Sequence, residues 1–395
     1  MFPPSSSILA PLSVVYGGVV RARASLYGAG LFRTHRIEPP VVSVGNLTMG
    51  GTGKTPLVAW AARALASAGR RVCILTRGYG RTKASRRVVV SDGERVLAEA
   101  REGGDEPRLL AEMLRDAGVA VVSDADRVAA SLWALENLQS ELFILDDGFQ
   151  HLRLARDLDL VTLDATDPFG GGKLLPRGRL REPPGALKRA GAIVITRAEM
   201  AADLDRLRDE VSRVTQAATP IFTSRLRTER VRLLQPATKD EAGAGAAMKL
   251  ESDAISQPLG EVLNQGEVVA REVEAAWQRV EAVPQPVAAF CALGNPEGFF
   301  VHARRDGLTL SHTRAFRDHH LYTQSDVDSL VAAARREGAR ALLTTAKDAV
   351  KLRAFDFALP CYVVEVGLEF DDEERLLAVV SRAVERREAE KSRKE

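Results

Sequence analysis

Cysteine is nearly absent: Cys73, Cys291 and Cys361 are the only three in 395 residues. None stands in a Cys-x-x-Cys pair or beside a histidine, which excludes a disulfide-stapled scaffold and a zinc ribbon. Two of them fall in apolar, strand-like runs, so they are expected as reduced core residues of a cytoplasmic protein. A surplus of one charge is also missing. Lys and Arg number 55 against 53 Asp and Glu, a net charge of +2, so no whole-molecule field gathers nucleic acid or acidic lipid. Any basic site must be local.

A membrane-spanning run is missing too. The apolar stretch from Ser7 to Val20 is broken by Pro11, Gly17 and Gly18, whereas a bilayer takes roughly 20 continuous apolar residues. No basic residues precede this stretch and no clear small-residue cleavage site follows, so a removable signal peptide is not expected. Arg21, Arg23, Arg33, His35 and Arg36 follow it. Two readings stay open: a helix lying on an anionic membrane face, and a helix packed on its own domain.

What is present is enough for a large core, with 45% hydrophobic residues and a length that suggests two domains. Short β-branched runs at 41–44, 71–76, 119–122, 142–145, 158–163 and 192–196 alternate with helix-length stretches at 56–68, 106–117 and 126–138. This alternation predicts an α/β fold, a mainly parallel sheet with helices on both faces. The character changes near Pro220, and the Ala-, Gly- and Glu-rich chain up to Gln285 reads as a linker or insertion. Strands are expected again at 287–293, 341–345 and 361–366. The predicted organisation is therefore a phosphate-loop domain over 1–221 that includes the N-terminal segment, a linker over 222–285, and a smaller C-terminal α/β domain over 286–395.

The segment VVSVGNLTMGGTGKTPLVAW sets a strand, a Gly-rich turn and an amphipathic helix in succession. That is the context a phosphate loop requires: backbone N–H groups wrap phosphates, and the helix turns its positive end to the anion. Thr48, Gly50, Gly51, Thr52, Gly53, Lys54 and Thr55 are the expected nucleotide contacts, with Lys54 on the β and γ oxygens and Thr55 on Mg²⁺. Thr48 stands where the strict pattern has glycine. Further on, ELFILDDGFQH runs an apolar strand into Asp146 and Asp147, as expected where a strand delivers a carboxylate to Mg²⁺.

Between these motifs, GGDEPRLL sets Asp105 and Glu106 at a helix start. Asp105 reads either as a helix cap or, near Mg²⁺–ATP, as a proton acceptor for an attacking hydroxyl. FRDHHLYT clusters Asp318, His319 and His320 in a chain with six histidines, a pairing suited to polarising a hydroxyl. GGGKLLPRGRLREPPGALKR gathers Lys173, Arg177, Arg179, Arg181, Lys188 and Arg189. Arginine forks suit phosphate oxygens, and the lack of interleaved aromatics argues against a nucleic-acid surface.

Taken in order, SVGNLTMGGTGKTP, LTRGYGR, GGDEP, DDGFQH, LLPRGRLREP, ALGNPEGFF, FRDHHLYT and TTAKDAVKL resemble the tetraacyldisaccharide 4′-kinase (lipid A 4′-kinase) family across most of the chain. The resemblance implies ATP- and Mg²⁺-dependent phosphorylation of the 4′-hydroxyl of a diacylglucosamine disaccharide 1-phosphate, peripheral to the cytoplasmic face of the inner membrane, with no obligate protein partner. It implies Asp105 and His319 as a catalytic pair with Lys54, His320 being the neighbouring alternative. Thr55, Glu106, Asp146 and Asp147 are then expected around the metal, and Arg77, Arg127, Arg177, Arg179, Arg181 and Glu182 around the lipid head group. Two features depart from the family pattern: ALGNP stands where GIGNP is usual, and the segment before it has no match.

Two other functions fit a phosphate loop: an ATPase or GTPase switch that moves a protein partner, and a nucleotide-binding module without catalysis. Neither needs the DHH or Arg-rich segments, which favour the kinase.

Overall fold

The computed structural model describes residues 6–82, 85–234 and 278–393. Its strands are β1 (Val41–Asn46), β2 (Val72–Thr76), β3 (Val88–Asp92), β4 (Ala120–Ser123), β5 (Leu142–Asp146), β6 (Leu158–Asp164), β7 (Ala192–Thr196), β8 (Ile221–Leu233), β9 (Val287–Cys291), β10 (Leu310–Ala315), β11 (Ala341–Thr345) and β12 (Cys361–Phe370). They form one 12-stranded sheet in the order β10-β9-β11-β12-β8-β7-β6-β1-β5-β2-β4-β3. Pairing is parallel except for β3 with β4 and β8 with β12. β1, β2, β4, β5, β6, β7 and β9 are buried along their whole length, as strands covered on both faces must be.

Helices Lys54–Ser67, Asp105–Met113 and Glu373–Ser392 cover one face of the first half of the sheet. Helix Arg127–Asn137 covers the other face. Around the second half, helices Gln324–Arg336 and Ala346–Leu352 lie on one side and Pro296–Arg305 on the other. All three cysteines are buried and free.

Two boundaries differ from the sequence expectation. The chain from 222 onward, expected as linker, continues as β8 to Leu233, and residues 235–277 lie outside the described residues. β8 was hidden because Arg225, Arg227, Glu229, Arg230 and Arg232 crowd it with charge; half of a strand that is wet on one face need not be apolar. The C-terminal helix, grouped by sequence with the second unit, instead puts Leu376, Val380, Ala383 and Val384 into the core of the first. An amphipathic pattern fixes which face of a helix is buried, not which sheet it covers.

The N-terminal helix, Ser6–Gly28, packs on its own chain through one face and leaves an apolar stripe exposed on another. Ser13 donates to the Leu174 carbonyl at 2.8 Å and Tyr16 to that of Arg181 at 2.9 Å, while Leu12, Val15 and Val19, spaced three and four residues apart, are 54–65% exposed. Among the described residues, no helix is long and apolar enough to cross a membrane.

Candidate active site

β1 ends at the phosphate loop, and the helix from Lys54 begins directly after it. Gly50 and Gly53 sit at φ 116° and 77°, a region glycine enters without a steric cost. The loop is tied from behind by its carbonyls. Thr196 Oγ1 donates to the Thr52 carbonyl at 2.9 Å, Arg197 to that of Gly51 at 3.0 Å, and Arg179 Nε to that of Met49 at 3.0 Å. Thr52 Oγ1 accepts from Asn46 at 2.9 Å and meets Thr162 Oγ1 at 2.8 Å. Tethered carbonyls leave N–H groups to turn toward an anion. Thr48 needs no glycine's freedom, because its backbone bridges to Leu180 and its methyl packs beside Gly170.

The neighbouring strand β5 delivers Asp146, 3% exposed, and then Asp147 at φ 55°. Asp147 accepts from Arg181 at 2.7 Å and lies 3.4 Å from Lys54 Nζ. Burial opposes its charge, but Lys54 and Arg181 hold its pKa down at about 2. Asp146 moves the other way: burial, then Glu106 and Asp147, push it up to about 7. Glu106 is within 3.4 Å of Lys347 Nζ. Glu106 and Asp147 thus both act electrostatically on Asp146 beside the phosphate loop. Among the described residues, no three His, Cys, Asp or Glu form a metal cluster by themselves. Magnesium at a nucleotide site needs none, since it keeps waters and takes phosphate oxygens.

Asp105 opens the helix Asp105–Met113, behind Gly104 at φ 103°. A side chain at Gly104 would meet Gly78 and the Tyr79 carbonyl at 3.0 Å, so the GGDEP and TRGYGR segments pack backbone to backbone. The second half of the molecule reaches this point. His319, at φ 60°, sets Nδ1 3.3 Å from Asp105 Oδ2. His320 faces away, 3.2 Å from Asp326 and stacked on Phe316 at 4.7 Å. Lys351 Nζ lies 3.4 Å from Asp105, and Lys347 bridges Glu106 to Asp318, 3.1 Å away. Burial opposes the charge on Asp105, yet His319 and Lys351 lower its pKa. Gly294 of the ALGNP segment rests on the phosphate loop, where any side chain at that position would meet the Gly51 nitrogen at 2.9 Å.

The expected head-group residues divide. Arg177 is exposed, and Arg77 lies over the Tyr79 ring with a hydrogen bond to its hydroxyl at 3.0 Å. Arg179 and Arg181 hold the phosphate loop and Asp147. Glu182 is buried, accepting from Arg189 at 2.9 Å and Gln150 at 3.0 Å. Arg127 is buried, and its pKa is lowered by that burial against the pull of Asp146 and Asp147.

A sequence model of the tetraacyldisaccharide-1-P 4′-kinase family matches residues 5–385. The chain belongs to this family. It is 42% identical to the tetraacyldisaccharide 4′-kinase of Geobacter metallireducens over 88% of either chain. Identity to that of Desulfotalea psychrophila is 37%, over 92% of this chain and 93% of the other. The crystal structure of LpxK from Aquifex aeolicus in complex with ATP superimposes with a TM-score of 0.67 and 30% identity, covering 96% of this chain and 99% of that one. A tetraacyldisaccharide 4′-kinase is an enzyme that phosphorylates an alcohol, so the kinase reading stands over a switch acting on a protein partner.

Some residues of this 4′-kinase site carried no sequence signal of a role. Lys347 and Lys351, four apart on Ala346–Leu352, lie in the TTAKDAVKL motif but were assigned no role from the sequence. Arg197 and Asp164, at the ends of β7 and β6, form a buried ion pair beside the loop. Only their positions at the carboxyl ends of parallel strands hinted at a site.

Proposed function

We propose that the cleft binds Mg²⁺–ATP on the phosphate loop and transfers its γ-phosphate to the 4′-hydroxyl of a tetraacyldisaccharide 1-phosphate, with Asp105 and His319 acting together on that hydroxyl. The contact that carries this reading is the 3.3 Å approach of His319 to Asp105 from opposite halves of the molecule. A sugar hydroxyl is a poor nucleophile, and a carboxylate–imidazole pair both orients it and takes its proton as the new bond forms. His319 is 37% exposed at its side chain, open to an acceptor, whereas Asp105 is nearly covered. Lys54 neutralises charge that develops on the transferred phosphoryl group. Thr55, Glu106, Asp146 and Asp147 would hold the metal, which would offset the charge of the phosphates.

The acceptor is an acylated disaccharide, and the apolar stripe of Leu12, Val15 and Val19 offers a place for its host membrane. Leu31 and Phe32 are also exposed, at 73% and 44%, with Arg21, Arg23 and Arg33 near them in sequence. That combination supports a peripheral seat on the anionic cytoplasmic face of the inner membrane. The helix rests on the Arg-rich segment through Ser13 and Tyr16, which links the membrane surface to the head-group side of the cleft. Incubating the purified protein with radiolabelled ATP, Mg²⁺ and the disaccharide 1-phosphate should yield a bisphosphorylated lipid. Label released only as inorganic phosphate would refute the proposal.

A further inference from the structure

Lys351 lies in the last turn of the short helix Ala346–Leu352, with its side chain 6% exposed. Its ammonium faces three acceptors: Asp105 Oδ2 at 3.4 Å, the His320 carbonyl at 3.1 Å and Asp348 Oδ1 at 3.7 Å. Asp348 does not depend on it. That fully buried carboxylate already accepts from the Ala292 nitrogen at 3.1 Å, the Tyr322 hydroxyl at 3.0 Å and the Thr345 hydroxyl at 2.7 Å. The ammonium is therefore available to the two groups on the cleft side. One is the same Asp105 oxygen that faces His319. The other is the carbonyl one residue beyond His319, whose left-handed backbone is an uncommon conformation for a non-glycine residue.

The supporting helix is itself fixed against the helix that bears Asp105. Val350 packs with Ala100 and Leu109, and Ala346 and Met113 close the contact. Lys351 thus faces Asp105 directly and the backbone next to His319 through the His320 carbonyl, from a helix that carries neither member of the pair.

We propose that Lys351 is a positioning residue that sets the approach of His319 to Asp105, an inference that rests on the reading of those two residues as the acceptor-activating pair. It touches neither nucleotide nor acceptor in this role, so its removal should act on kcat. A reacting group displaced by about 1 Å costs up to about 100-fold in rate.

The test uses full-length enzyme, with kcat, the two KM values, ATP affinity and thermal midpoint measured for Lys351→Met, Lys351→Arg, His319→Ala and the Met/Ala double variant. Lys351→Met should lower kcat by about 10- to 100-fold and leave ATP affinity within about twofold. Lys351→Arg, which keeps the charge and the donors, should recover most of the loss. In the His319→Ala background the same Met substitution should cost less than about threefold, because residues that act as a unit are non-additive. If Lys351→Met does not fold, Lys351→Gln replaces it with the same split between kcat and KM expected. An equal loss in both backgrounds, or a normal kcat in Lys351→Met beside a crippled His319→Ala, overturns the positioning role alone. A normal kcat in His319→Ala overturns the pair and the positioning role together.

Discussion

Lys54 and Asp147, delivered by the neighbouring parallel strands β1 and β5, face each other across 3.4 Å at the mouth of the phosphate loop. The lysine that is to meet the phosphates is thus held by a carboxylate that Arg181 also holds. Replacing Lys54 with alanine leaves Arg181 to compensate Asp147, so the fold should persist while catalysis fails. Turnover of lipid should fall by at least about 100-fold, the scale for losing one preorganised group that stabilises transition-state charge. Near-normal kcat for Lys54→Ala would remove the phosphate-loop assignment.

Asp105→Ala and His319→Ala should each lower kcat strongly, within the range of about 10²–10⁴ typical of general-base groups. The double variant should be little worse than the poorer single one, and ATP affinity should survive in all three. His320→Ala serves as the control. Its ring packs on Phe316 and its nitrogen faces Asp326, so kcat should change little. An inactive His320→Ala with an active His319→Ala would move the role to the neighbour.

His151 gives a pH signature. Burial first, with Arg127 and Arg156 nearby, lowers its pKa from 6.5 to about 4. The unfolded chain therefore takes up this proton at a pH where the folded protein refuses it. Stability from this source is complete above about 6.5 and is lost as pH falls toward about 4. Between pH 7 and pH 4 the thermal midpoint of wild type should fall further than that of His151→Gln, because the variant lacks this loss. Parallel curves would show that His151 does not contribute.

The N-terminal helix can be probed on its outer face alone. Val15→Asp with Val19→Asp spares Ser13 and Tyr16, which dock the helix on the Arg-rich segment. Flotation with anionic vesicles should fall by about tenfold or more, since burying each such side chain is worth about 1.5 kcal/mol or more. KM for lipid presented in vesicles should rise, with ATP affinity unchanged. Flotation equal to wild type would leave the exposed stripe without a membrane role.

Most of the strands that sequence revealed share one physical property: they are buried on both faces. β1, β2, β4 to β7 and β9 are buried throughout and mostly apolar, so their runs stand out. β3, β8 and β10 did not. β10 is an edge strand with His312 and Arg314 along a half-exposed run, and β8 sets Arg225, Arg227, Glu229, Arg230 and Arg232 among Leu226, Thr228 and Val231. The same contrast applies at the site. A glycine-rich loop between strand and helix has few other uses, so the sequence pointed to Lys54 and Thr55. Lys351 acquires its partners only when a distant helix is docked against Asp105, and nothing local encodes that docking. The two adjacent histidines, equivalent as sequence, are told apart by a positive φ at His319 that turns one ring toward Asp105 and leaves the other on Phe316.

The antiparallel pairing of β8 with β12 ends at Ser224 and Phe370, and just beyond it Thr223 and Asp371 are joined by hydrogen bonds of 3.1 Å between backbones and 2.9 Å from backbone to side chain. Among the described residues, the chain therefore leaves the nucleotide-side half and re-enters it at one place. A polypeptide that stepped from Thr223 directly to Asp371 would retain every strand from β1 to β7, the phosphate loop, Asp105 and the C-terminal helix. It would lack His319, Lys347 and Lys351. Topologically, the segment that carries His319, Lys347 and Lys351 is inserted into a fold that already holds the phosphate loop and Asp105, so the contact between Asp105 and His319 is made across that seam.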